Sequence, residues 1–105
     1  MKIDLTHFQT AGSWVFSGRP RGAKIREENG VDLLDSTAGP VEVVIPTEIL
    51  GLNPSFFLGL FGPSVRKFGR EEFEKKYHFL CNPIVLTDIE DGIKQALKGT
   101  NPLAQ

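Results

Sequence analysis

LGLNPSFFLGLFGPSVRKFG, residues 50–69, is the stretch around which the rest of the chain is organised. Asn53 is a good helix N-cap because its side-chain oxygen can accept a hydrogen bond from a first-turn amide, and Pro54 suits the first helical position. Apolar and small side chains then recur at three- and four-residue spacing, as in a buried helical stripe. They are Phe57, Leu60, Phe61, Ser64, Val65 and Phe68. Gly62 and Pro63 interrupt the stripe, so the sequence predicts either a kink there or two short helices that share one face.

Strands and helices alternate on both sides of this helix. Alternating side chains predict a strand over residues 1–8, and a β-favouring run at 14–16 predicts a second strand that pairs with it as a hairpin. The other predicted elements are a helix from Pro20 to Asn29, a strand from Val41 to Ile45, a charged helix from Arg70 to Tyr77 after a stop at Gly69, a strand from His78 to Cys81, and a last helix with a Thr87–Glu90 capping box and Gly99 at its end.

This order of elements predicts an α/β fold. We expect one mixed β-sheet of about four strands flanked by helices, in which the strands at 41–45 and 79–81 run parallel. The predicted domain covers residues 1–99, and residues 100–105, which lack periodicity, are predicted to be a flexible tail.

Composition and charge exclude several classes of function. The 105 residues suit one domain, and the net charge of −1 argues against a general nucleic-acid binder, which needs a basic surface. The single cysteine, Cys81, cannot form an internal disulfide and is typical of a reducing compartment. The longest apolar runs are only about five residues, too short for a membrane span, and the N-terminus has no leader pattern. We therefore expect a cytoplasmic protein without a membrane segment.

Several short motifs resemble the small STAS-like family of unassigned function, which is related to the STAS domains of anti-sigma factor antagonists. In chain order these motifs are Ser17-Gly18-Arg19, Gly22, Ile25-Arg26, the strand Val41–Ile45, Pro54-Ser55-Phe56, Leu60-Phe61-Gly62 and Phe68-Gly69, followed by a strand and a closing amphipathic helix. The resemblance extends over most of residues 1–99. It implies a mixed sheet flanked by helices and a regulatory role in protein–protein interaction.

The resemblance also implies a site and a partner. In the wider superfamily, an ATP-binding anti-sigma kinase phosphorylates a serine or threonine in the loop before a helix. Ser55 is the nearest match, although Asn53-Pro54-Ser55-Phe56 replaces the family's Asp-Ser-Ser-Gly type of loop. A phosphate there is stabilised by the helix N-terminus, by ~0.3–1 kcal/mol when exposed. The expected partner-binding or phosphoacceptor residues are Asn53, Ser55 and Phe56.

Two alternatives use other parts of the chain. Arg19, Arg21 and Arg26 lie near two glycines and are candidates for an anion- or nucleotide-binding domain or a small enzyme, although no P-loop or dinucleotide motif is present. The second alternative is a homodimer that forms through the phenylalanine-rich helix. His7, His78 and Cys81 show no metal-ligand spacing, and the acidic runs suit solvated helix starts, so neither a metal, a cofactor nor an enzymatic activity is expected.

Overall fold

The computed structural model describes residues 1–98, which form an α/β fold with five short strands and four α-helices. In chain order the elements are β1 (Lys2–Asp4), a 3-10 turn (Leu5–Phe8), β2 (Val15–Phe16), α1 (Arg19–Glu28), α2 (Val31–Ser36), β3 (Val41–Val44), β4 (Gly51–Leu52), α3 (Pro54–Lys76), β5 (Tyr77–Leu80) and α4 (Val85–Lys98). The predicted tail at 100–105 and the predicted cap at Gly99 lie outside the described residues. None of the helices in residues 1–98 is both long and apolar enough to span a membrane.

The strands form two parallel sheets instead of the single mixed sheet that was predicted. One sheet has the order β1-β3-β5, and in it Val43 pairs with Ile3 on one side and Phe79 on the other. The predicted parallel pairing of the strands near 41–45 and 79–81 is therefore confirmed. The second sheet is the β2–β4 ribbon, in which Val15–Phe16 pairs with Gly51–Leu52.

The predicted hairpin between the first two strands is wrong. The Asp4 side chain accepts a hydrogen bond from the Thr6 amide at 3.0 Å and caps the 3-10 turn, which ends β1 early. The chain then leaves the first sheet, and β2 pairs with β4 in parallel. Local alternation of side chains cannot reveal this pairing, because the partner strand lies far along the chain.

The long helix α3 begins where the sequence predicts. The side-chain oxygen of Asn53 accepts from the Ser55 amide at 2.9 Å. A division into two helices at Gly62-Pro63 is wrong, because the helix continues through Pro63 and departs from helical geometry at Gly69, with φ 79° and ψ 167°. The predicted stop at Gly69 is confirmed, since this positive φ favours glycine. Tertiary packing of the surrounding stripe offsets the amide lost at Pro63.

The core is built on α3, which packs against α1 on one side and α4 on the other. Phe61 lies at the centre of an aromatic cluster, with ring centroids 5.2 Å from Tyr77 and 5.6 Å from Phe73. Helix α4 begins at Val85, two residues before the predicted capping box, because Asn82 accepts from the Ile84 amide at 3.2 Å and starts the first turn earlier.

Candidate functional site

Large apolar side chains are exposed on β2 and on the residues that immediately precede β2 and β4. Trp14 is 66% exposed, Leu50 is 47% exposed and Val15 is 46% exposed. Burial of such side chains normally stabilises a fold, and an exposed group that includes a tryptophan is characteristic of a contact surface. These three residues are therefore the starting point for a candidate site.

The buried side chains of the ribbon attach it to the core. Phe16 and Leu52 are buried, and the Phe16 ring stacks on the Phe56 ring with centroids 5.0 Å apart. The Trp14 carbonyl accepts from the amides of Leu50, at 2.8 Å, and Gly51, at 3.2 Å. The ribbon is thus anchored through the buried side chains of Phe16 and Leu52 and through its backbone.

The ribbon leads directly into the predicted site at the start of α3. The Asn53 amide donates to the Phe16 carbonyl at 2.8 Å, and the Ser55 hydroxyl donates to Asn53 Oδ1 at 2.7 Å. Ser55 is half-buried and Asn53 is exposed. Trp14, Val15, Leu50, Asn53 and Ser55 thus lie on two neighbouring segments that are joined by backbone hydrogen bonds, and we call these five residues the contact face.

Phe56 does not share this surface, which corrects its expected role in partner binding. Its side chain has no exposed area, and its ring lies against Phe16 beneath the ribbon. Helical geometry turns residue 56 about 100° away from Ser55, toward the core. Phe56 therefore supports the contact face from below.

The three arginines proposed for anion binding have separate environments. Arg19 is exposed at the start of α1. Arg21 donates to the Phe8 carbonyl and to Thr10 Oγ1, and its guanidinium lies 5.6 Å from the centroid of the Phe16 ring. Arg26 is buried, and its donors are used inside the protein. The structure thus gives Arg26 an internal role in place of the expected external one.

Arg26 belongs to a buried polar network that sequence reasoning missed. Its Nη2 donates to Asp35 Oδ2 at 3.0 Å, and its Nη1 donates to Ser64 Oγ and to the Leu60 carbonyl, each at 2.8 Å. The hydroxyl of Ser64 and the phenol of Tyr77 both donate to the Asp35 carboxylate. Asp35 is thereby paired with a cation and two hydroxyls, as a buried carboxylate requires.

The network joins α1, α2, α3 and β5 across the core. Within residues 1–98, every buried side-chain nitrogen or oxygen has a hydrogen-bond partner. One sequence signal did point to it, because Ser64 was predicted on an otherwise apolar stripe, where a hydroxyl needs a partner. Its partners could not be found by local spacing, since Asp35 is 29 residues away.

Because of this network, the free energy of unfolding should depend on pH in the alkaline range. Burial, followed by the hydrogen bond to Asp35, raises the pKa of Tyr77 above its ordinary value of 10. Because the pKa of Tyr77 is higher in the folded protein than in the unfolded chain, protonated Tyr77 stabilises the fold. This stabilisation is fully present below pH 10 and is lost as the pH rises through the pKa of the folded protein. Tyr77 is the only tyrosine in the chain, so its phenolate absorbance can be followed directly.

We expect Tyr77 to remain protonated well above pH 10 for as long as the domain is folded. An ultraviolet titration should show phenolate absorbance rising together with the loss of near-ultraviolet circular dichroism. In urea unfolding, the wild-type free energy should fall more steeply above pH 10 than that of Tyr77→Phe. A Tyr77 that titrates near pH 10 in the folded protein would contradict the structure of the network.

Two other features were considered as sites. A surface groove beside β5 is lined by Phe68 and Pro40 together with Lys75, Lys76 and His78, but Lys75 pairs with Glu72 at 3.4 Å and Lys76 donates to the Gly39 carbonyl at 3.0 Å. Burial raises the pKa of the Cys81 thiol, which makes it a poor nucleophile at neutral pH. In the part of the chain described, no group of three or more His, Cys, Asp and Glu is placed to hold a metal.

Comparisons of the chain with protein-family models, with curated proteins and with solved structures give no match. The STAS-like resemblance therefore remains a prediction from the sequence motifs.

Proposed function

We propose that this domain is a regulatory protein-binding module that uses the contact face to bind a protein partner. The observation that carries the proposal is the exposure of Trp14 on a ribbon that continues into the N-terminus of α3. Tryptophan is enriched among the residues that dominate binding energy at interfaces. The rigid attachment of the ribbon to Phe56 and α4 also lowers the entropic cost of binding, because the face is preorganised.

The partner is proposed to be an ATP-binding kinase-like protein, as the STAS-like resemblance implies. Ser55 is the proposed phosphoacceptor: its hydroxyl oxygen would attack the terminal phosphoryl group of the partner's ATP, releasing ADP, while the hydroxyl proton passes to solvent or to a base of the partner. Its position in the first turn of α3 supports this role, since the amides there favour a phosphate. The hydroxyl donates to Asn53 in the unmodified protein, so phosphorylation would exchange that bond for contacts with first-turn amides.

Partner capture tests the proposal. The purified domain is immobilised, proteins retained from an extract of the source cells are identified by mass spectrometry, and the recovered partner is purified and incubated with the domain and ATP. We expect an ATP-binding protein that adds one phosphoryl group to the wild type and none to Ser55→Ala. Recovery of a partner that neither binds ATP nor modifies Ser55 would contradict the kinase-like partner.

A surface variant tests the contact face itself. We expect the double change Trp14→Ser and Leu50→Ser to weaken partner binding by about 100-fold or more, because it removes two exposed anchors, each worth about 1.5–2 kcal/mol. Leu33→Ser is the matched control, since Leu33 is 72% exposed on α2. Equal binding by both variants would exclude the contact face. Gel filtration of the free protein identifies a homodimer on this face if the double change alone converts a dimer to a monomer.

The anion-binding alternative is less well supported. Of the three arginines, Arg26 donates its hydrogen bonds to the buried network. Arg21 donates to Phe8 and Thr10 and lies over the Phe16 ring. A thermal-shift screen with nucleotides and phosphates checks it, because any ligand that binds the native state raises the melting temperature.

A further inference from the structure

We propose that two copies of this chain pair through the free edge of β5, so that their two β1-β3-β5 sheets become one continuous sheet. This inference is independent of the contact face. Its starting point is the strand order β1-β3-β5, in which β5 has a neighbouring strand on one side only within the described residues. An unpaired strand edge presents backbone amides and carbonyls that can pair with another strand.

The pairing of β5 with β3 shows which backbone groups of β5 are free. The Ile45 amide of the β3 side donates to the Leu80 carbonyl at 2.9 Å. Because backbone groups alternate in direction along a strand, those of Phe79 face outward, away from β3. Phe79 is partly exposed, and in residues 1–98 no hydrogen bond outside the ladder with β3 involves its amide or its carbonyl. One donor and one acceptor are therefore available at the middle of this edge.

The edges of the other strands are protected. On β2, the Ser13 hydroxyl donates to the Val15 carbonyl at 2.9 Å and accepts from the Val15 amide at 3.4 Å. On β4, the Leu52 amide donates to Asp88 Oδ2 at 2.8 Å, so α4 covers that edge. Strand β1 is only three residues long and has a charged residue at each end, and short, charged edges disfavour further pairing. Among the described strands, β5 is thus the one with an edge open to another strand.

A second copy of β5 fits this edge. If two copies run antiparallel about a two-fold axis at Phe79, the two Phe79 residues exchange both of their backbone hydrogen bonds. His78 of one copy then lies opposite Leu80 of the other, so no like charges meet, and Leu80, which is 50% exposed, gains a cross-strand neighbour. The two-fold arrangement is also closed, because it uses the β5 edge of both copies, whereas pairing with a different edge would continue from copy to copy.

Charge variants at the two facing positions test the pairing and its register. His78→Lys with Leu80→Lys places lysines opposite each other, whereas His78→Lys with Leu80→Glu places each lysine opposite a glutamate. Both variants change exposed side chains, so the monomer should stay folded, which circular dichroism checks. We expect sedimentation velocity, at concentrations up to about 1 mM, to show a monomer–dimer equilibrium in the wild type and a dissociation constant about tenfold or more higher in the lysine–lysine variant than in the lysine–glutamate variant.

Amide hydrogen exchange locates the interface independently of these variants. The Phe79 amide should exchange more slowly as the protein concentration rises, whereas the Leu80 amide, which faces β3, should be protected at every concentration. The contact-face variant Trp14→Ser, Leu50→Ser should dimerise like the wild type, so that loss of the partner and loss of the dimer are separate results.

The inference would be overturned by a wild type that stays monomeric at about 1 mM or by equal dissociation constants of the two charge variants. Exchange of the Phe79 amide that does not depend on protein concentration would also overturn it. Loss of the dimer in the contact-face variant would do the same, because it would move the dimer interface from β5 to the contact face.

Discussion

Gly22→Ala and Gly59→Ala should each destabilise the domain by about 3 kcal/mol, because both glycines lie where α1 and α3 cross with backbones in direct contact. A Cβ on Gly22 would lie 2.2 Å from the Phe56 carbonyl oxygen, and a Cβ on Gly59 would lie 2.2 Å from the Arg19 carbonyl oxygen. Neither obstacle is a flexible side chain, so the helices must separate. Their separation would also loosen the packing of Phe56, which supports the ribbon.

Urea unfolding at neutral pH measures this effect, and the melting temperature should fall by roughly 15 °C in each variant. Gly62→Ala is the control on the same helix, since a Cβ there meets only the end of the Arg66 side chain, at 3.2 Å. That change should be neutral or stabilising by up to about 1 kcal/mol, because alanine is the better helix former. Similar stabilities for Gly22→Ala and Gly62→Ala would contradict the close crossing.

Asp35→Asn should cost about 3 kcal/mol or more, because it leaves the buried Arg26 guanidinium without its interior counter-charge and disturbs the hydrogen bonds of Ser64 and Tyr77. The Arg26 side chain keeps one carboxylate, that of Asp32, at 2.6 Å, but Asp32 is 90% exposed and is screened by solvent. The remaining pair is therefore a weak substitute for the buried one.

Denaturant unfolding of Asp35→Asn and Asp32→Asn provides the comparison. Asp32→Asn, which removes the charge of the exposed carboxylate, should lower the free energy of unfolding by about 1 kcal/mol or less. The double change Arg26→Met with Asp35→Leu should be less destabilised than the sum of the two single changes, since it removes both buried charges together. The network would be contradicted if the effects of Arg26→Met and Asp35→Leu were additive. It would also be contradicted if Asp35→Asn and Asp32→Asn lowered the free energy of unfolding equally.

Features that depend on local physics could be predicted from the sequence. The cap at Asn53, the buried stripe of α3 and the break at Gly69 follow from hydrogen bonding and backbone freedom within a few residues. The parallel pairing of β3 with β5 also followed, since strands joined by a long helical crossover run parallel. The α/β fold class could therefore be predicted from the sequence.

Features that depend on distant pairing could not be predicted. Trp14-Val15-Phe16 has the composition of a buried strand, yet only Phe16 is buried, and the strand that pairs with β2 lies far along the chain. Tyr77 and Asp35 are 42 residues apart in the sequence, and the local sequence around neither residue predicts that the other is its hydrogen-bond partner. The predicted site residues Asn53 and Ser55 do belong to the contact face, but its largest apolar members were missed.

The central claim is that the contact face binds a protein partner, and a binding isotherm tests it most directly. The captured partner is titrated into the wild-type domain, into the Trp14→Ser, Leu50→Ser variant, and into the Leu33→Ser control, each shown to be folded by circular dichroism. We predict a dissociation constant raised about 100-fold or more in the contact-face variant and within about twofold of the wild type in the control. Equal dissociation constants for all three proteins would contradict the claim.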